Sequence, residues 1–170
     1  MLPQRLLALA LVPYVAWLVF SYDYHFIDGV NLAFHEAGHL FLTPFGRTMH
    51  FLGGTIGQLF FPAACVFHFL RSQRRFEAAV CSVWLGESLM YVAHYLSDAK
   101  ALALPLVGGH IHDWNWLLGR WGLIDHCEQI AVFLHGVASL VVLGALMAAL
   151  QAAFASESVE SKAGLPARSE

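Results

Sequence analysis

The chain has little charge. Only 12% of its 170 residues are Asp, Glu, Lys or Arg, about half the ~25% of an ordinary soluble domain, while 58% are hydrophobic. A soluble fold of this size needs more polar surface than that. No Lys/Arg-rich stripe occurs and the net charge is −3, which excludes the electrostatic footprint of a nucleic-acid binder. The three cysteines, Cys65, Cys81 and Cys127, form neither a CxxC pair nor a disulfide framework, and read as small buried hydrophobes. The length allows one domain and hardly two.

Long apolar runs separated by short polar punctuation fill the rest, with a mean hydropathy of +0.60. Crossing about 30 Å of hydrocarbon takes about 20 helical residues. Five segments answer to that length: Leu2 to Phe20, Phe26 to Phe45, Phe51 to Leu70, Phe76 to Leu96 and Ile130 to Leu150. The expectation is an all-α, polytopic membrane bundle of about five spans, with membrane lipid as its surroundings. Residues 1–150 would form a single domain and 151–170 a polar, disordered tail. Ser21-Tyr22-Asp23 after the first run is not an A-x-A cleavage site, so that run reads as an uncleaved anchor. Arg71, Arg74 and Arg75 form the one dense basic cluster, which places their loop in the cytoplasm and the N-terminus outside.

The stretch from Ser97 to Cys127 is too long for an idle connection. Its tryptophans, Trp114, Trp116 and Trp121, suit an interfacial belt. Its glycines and polar residues suit a re-entrant or short-helix segment, around 97–126, that returns polar groups to a buried site.

The strongest chemical signal is His35-Glu36-Ala37-Gly38-His39, an HExxH motif within the second run. On a helix, residues four apart share a face, so two imidazoles reach one metal ion. Glu36 beside them is placed to take a proton from water that the metal activates. Burying His, Glu and His in an apolar span is costly without such a purpose. The expected cofactor is one Zn2+ per chain, with Glu36 catalytic and His35 and His39 as ligands.

Catalytic zinc usually has three protein ligands. Asp113 ranks first as the third, because it follows Gly108-Gly109-His110-Ile111-His112 and can fold back. His112 is the alternative. Glu87, His94 and Asp98 share one face of the fourth run, and with Gln58 of the third they are candidates to orient the zinc histidines. Gly53 and Gly57 form a GxxxG face suited to tight helix packing. His25, His50, His68, His126 and His135 read as structural or interfacial.

With HExxH in an early apolar helix, a glycine-rich opening to the next, and a later membrane-associated aspartate, the chain resembles the site-2 protease type of intramembrane metalloprotease. The resemblance implies that His35 and His39 bind zinc, that Glu36 is the base, and that a distant aspartate completes the site. Asp113 takes that place by analogy, since the family's Leu-Asp-Gly signature is absent. The expected function is hydrolysis of a membrane-associated peptide by a multi-pass protein, as in a bacterial inner membrane. The rivals are a non-catalytic metal-binding or transport protein, and a haem protein. Haem needs axial histidines on facing helices, and His35 and His39 on one face suit a single small ion better.

Overall fold

A computed structural model describes residues 2–107 and 111–163, with side chains to residue 155. Among these residues the chain folds into six α-helices and no strand. They are α1 (Leu2–Ser21), α2 (Phe26–Leu42), α3 (Arg47–Arg71), α4 (Arg75–Ser97), α5 (Asp113–Trp121) and α6 (Cys127–Ala163). The polytopic helical bundle expected from composition is present.

Four segments, α1, α3, α4 and Ile124–Ala155, are long and apolar enough to cross a membrane, as an integral membrane protein requires. The expected count of five is corrected by α2. It stops after 17 residues, about 26 Å at 1.5 Å per residue, short of ~30 Å of hydrocarbon. Pro44 lies in the 3-10 turn Thr43–Phe45 that follows, and Gly46, at φ 99°, turns the chain into α3. Hydropathy runs through these residues, so the apolar run outlasts the helix. The last helix needs a second correction. It does not end at Leu150 but continues to Ala163, through the first part of the expected tail, and residues 164–170 lie outside the described residues.

Helix α4 is the centre of the bundle. Of its apolar window 56% is buried, against 17–28% for the other three spans. Val83 and Met90 of α4 meet Val15 and Leu18 of α1 and Ala138, Val142 and Ala145 of α6. Small residues let the backbones approach: Ala8, Ala79, Ala149 and Ala153 cluster at one end, and a side chain at Gly86 would collide with Val142. Exposed apolar groups such as Phe20, Leu40, Phe41, Phe133 and Leu140 cover the outside, as lipid contact demands.

Helices α2 and α3 meet backbone to backbone. Gly38 lies against Gly53 and Gly57, and a Cβ on any of the three would run into the facing backbone. The GxxxG face is therefore a packing face, and it brings α3's polar side chains against the HExxH helix.

After α4, the chain returns through the nine-residue α5. The His112 imidazole accepts from the Asn115 amide at 3.3 Å as its N-cap, and Gly122, at φ 70°, closes its C-terminus. Two exposed residues, Lys100 and Asp125, pair across this connection.

Candidate metal centre

The buried face of α2 carries Asp28, Asn31, His35 and Gly38, at steps of three and four residues. His39 stands one turn beyond His35, with ring centroids 4.7 Å apart. Each ring is fixed by its Nδ1. His35 Nδ1 donates to Gln58 Oε1 at 2.8 Å, and His39 Nδ1 donates to the His50 carbonyl at 2.7 Å. The Gln58 amide cannot be turned round, because its Nε2 donates to the Ser88 carbonyl at 3.1 Å. Both acceptors are oxygens without a proton to give, so both Nδ1 atoms carry hydrogen. In the neutral rings the Nε2 lone pairs are then free, as in metal-binding histidines held by a neighbouring acceptor.

Both lone pairs point at one atom. Asp113 Oδ2 lies 2.9 Å from His35 Nε2 and 3.2 Å from His39 Nε2. Asp113 is the first residue of α5, and its backbone amide donates to the Tyr95 hydroxyl at 3.2 Å, which fixes the start of that helix against α4. Burial pushes the Asp113 carboxyl up. Where the His35 and His39 rings carry a proton on Nε2, their hydrogen bonds and charge outweigh that effect and hold it below the usual carboxylate range. Two imidazole lone pairs and a carboxylate oxygen facing one another repel unless positive charge sits among them, as protons on the Nε2 atoms or as a metal ion. Tetrahedral zinc with bonds of about 2.0–2.2 Å separates its ligand atoms by about 3.4 Å, so these side chains would open by a few tenths of an ångström to hold it. The donor set of two nitrogens and an oxygen is also one that catalytic zinc accepts.

The remaining sequence candidates lie elsewhere. His112, the alternative to Asp113, points away from the two histidines. Its ring stacks on Tyr95 at 4.0 Å and its Nε2 is 3.7 Å from Asp98 Oδ2. Asp98 accepts from the Ala103 and Leu104 amides and so shapes the loop after α4. His94 contacts the Tyr22 ring, and Glu87 accepts from Asn31. Of the four candidates for orienting His35 and His39, Gln58 is the one with a hydrogen bond to either of them among the described residues. Gly108, Gly109 and His110, read as the hinge that frees Asp113, lie outside the described residues. Sequence reasoning missed Tyr95 and the His50 carbonyl. Neither carries a sequence signal, since a tyrosine in an apolar helix and a main-chain oxygen look the same wherever they point.

The three residues line a cavity of about 520 Å³, within the size range of small-molecule and peptide sites. Glu36, half-buried, lines it beside them. Tyr91, His94 and Tyr95 of α4 stand across it, and Leu104 to Val107 with Ile111 form an apolar wall. No protein-family model, no curated protein and no solved structure matches this chain.

Two substitutions probe the support around the histidines. Gln58→Leu should weaken zinc binding by about 10–100-fold, the usual cost of removing an outer-shell partner, and Gln58→Glu should recover part of it by restoring the acceptor. Competition with a chelator of known affinity reads this directly, and equal affinities for all three proteins would show that Gln58 does not position His35. Gly54→Ala should act on the same ring by steric force, because its Cβ would overlap the His35 imidazole. Overpacking of this kind costs about 1–3 kcal/mol. Gly54→Ala should therefore lower both the unfolding midpoint and zinc affinity, and an unchanged unfolding midpoint would contradict the packing.

Proposed function

We propose that this chain is a membrane-embedded zinc metallopeptidase of the site-2 protease type, acting on membrane-associated peptides. The observation that carries the reading is the convergence of His35 Nε2, His39 Nε2 and Asp113 Oδ2 from two separate helices, with each Nδ1 tied to a carbonyl oxygen. Glu36 on the wall of the same cavity supplies the one further group that hydrolysis needs.

His35, His39 and Asp113 would hold the zinc. Zinc bound there supplies Lewis-acid polarisation of the scissile carbonyl and acidifies water in the cavity. The chain does the rest. Glu36 accepts the proton of the attacking water and passes it to the leaving amine. The apolar wall of Leu104 to Val107 and Ile111 excludes bulk water and offers contact to apolar side chains of the substrate. The peptide enters locally unwound, since an intact helix hides its carbonyls in its own hydrogen bonds. The setting is a multi-pass membrane protein, as in a bacterial inner membrane.

The detergent-purified protein should cleave a set of fluorogenic transmembrane peptides, lose that activity on removal of zinc by a chelator, and regain it on adding zinc back. His35→Ala or His39→Ala should lower the zinc content by about one ion per chain. Cleavage that survives complete zinc removal would contradict the mechanism, and an unchanged zinc content in both variants would contradict the site.

A further inference from the structure

About two turns toward the N-terminus of α2 from His35, the same buried face meets a second group of metal-binding side chains that the peptidase reading does not use. Asp28 on α2 and Glu87 on α4 both have 0% exposure. His25, at the N-cap of α2, lies against both. Its Nδ1 is 2.7 Å from Asp28 Oδ2, and its Nε2 is 3.9 Å from Glu87 Oε1. One ligand atom from each of the three residues falls within 4.8 Å of the others.

The surrounding hydrogen bonds hold these side chains but leave one atom unserved. Tyr22 donates to Asp28 Oδ1 at 2.7 Å, and the His25 amide donates to Asp28 Oδ2 at 2.8 Å. Asn31 Nδ2 donates to Glu87 Oε2 at 2.9 Å, while the Trp84 indole donates to Asn31 Oδ1 and so sets which way the Asn31 amide faces. The Tyr14 hydroxyl lies 2.8 Å from His25 Nε2. Glu87 Oε1 accepts from no donor among the described residues, although it is completely enclosed and faces the His25 ring, and the Glu87 carboxyl lies within hydrogen-bonding reach of the Asp28 carboxyl. Among the described residues no lysine or arginine pairs with either carboxylate. Two enclosed acids and an imidazole, with one carboxylate oxygen lacking a donor, offer the donor atoms that a cation needs.

We propose that His25, Asp28 and Glu87 form a second metal site, for a divalent ion of the zinc type that accepts imidazole and carboxylate together. Asp28 and His35 are seven residues apart, about 10 Å along the helix. The two ions are therefore too far apart to act as a two-metal pair, which needs about 3.5–4 Å. The second ion is structural: it ties the α1–α2 turn to α4, and so holds the start of the HExxH helix in register with the centre of the bundle. His25 keeps 18% side-chain exposure, which gives the ion a way in.

Zinc content per chain, measured by mass spectrometry after equilibration with zinc and removal of excess, tests this independently of peptidase activity. Wild type should hold about two ions. The double variant His35→Ala/His39→Ala should hold about one, and so should Glu87→Gln or the milder His25→Asn at the half-open edge. His25→Asn and Glu87→Gln should also unfold at lower temperature than wild type with zinc present, and the difference should vanish once zinc is removed. A wild-type content of one ion, falling to none in the His35/His39 variant, would overturn the second site and leave the first intact. An undiminished content in both Glu87→Gln and His25→Asn would overturn it too, and would mean that the two acids are held by protons instead.

Discussion

Glu36→Gln should lower peptide hydrolysis by about 10²–10⁴-fold, the usual contribution of a general base, while zinc content stays at the wild-type value. The two effects separate because Glu36 lines the cavity beside the ligands without belonging to them: the group that converges is His35, His39 and Asp113. The isosteric amide keeps the shape of the cavity and removes the one carboxylate, among the described residues that line it, that the proposed metal site leaves uncommitted. Single-turnover assays at saturating peptide isolate the chemical step. Hydrolysis at the wild-type rate in the zinc-loaded variant would remove Glu36 from the mechanism. If the wild type moved ions across a membrane and cleaved no peptide, the transport reading would take the place of hydrolysis.

Replacing Asp113 should have the larger effect on the metal. Asp113→Asn keeps the size of the side chain at the start of α5, yet it replaces the anion that faces two imidazole nitrogens. Zinc affinity should fall by more than the ~10–100-fold expected of an outer partner such as Gln58, and activity should fall with it. His112→Asn makes the matched control. His112 caps α5 through Nδ1 and stacks its ring on Tyr95, outside the group formed by His35, His39 and Asp113, and asparagine is itself a good N-cap. Zinc affinity should therefore survive that change. The opposite pattern, with zinc lost in His112→Asn and kept in Asp113→Asn, would exchange the roles of the two neighbours.

The parts of this arrangement that were legible in the sequence are the local ones. Two histidines four apart on an amphipathic stretch share a face by helical geometry alone, and Gly53 and Gly57 announce a close approach in the same way. Asp113 ranks first on less local grounds: it follows a glycine-containing segment able to fold back, and it matches the late aspartate of the resembled family by order along the chain. The polar face of α4 shows where spacing misleads. Glu87, His94 and Asp98 do share a face, but Glu87 and Asp98 are eleven residues apart, about 16 Å along the axis. Each therefore meets a different neighbour: Asn31, the Tyr22 ring, and the amides of the following loop.

The short α2 and the long α6 went unread for a related reason. Hydropathy follows apolar residues, whereas a helix ends where the backbone is turned. Thr43-Pro44-Phe45-Gly46 interrupts α2 within an apolar run, and nothing turns the backbone at Leu150, so α6 continues into polar residues. The group around Asp28 was legible in principle, since Asp28, Asn31 and His35 fall on one face at helical spacing. Its meaning depends on Glu87, 59 residues from Asp28 in the chain, and on an oxygen lacking a donor that only packing reveals.

The central claim is that His35, His39 and Asp113 hold one zinc ion between them. Anomalous diffraction from zinc-loaded crystals, collected on both sides of the zinc absorption edge, tests it most directly. The account predicts a peak among the Nε2 atoms of His35 and His39 and an Asp113 carboxylate oxygen, with bonds of about 2.0–2.2 Å, and its disappearance in His35→Ala. A map with no peak there, or a peak whose third ligand is His112 or Asp98 while Asp113 faces solvent, would contradict it.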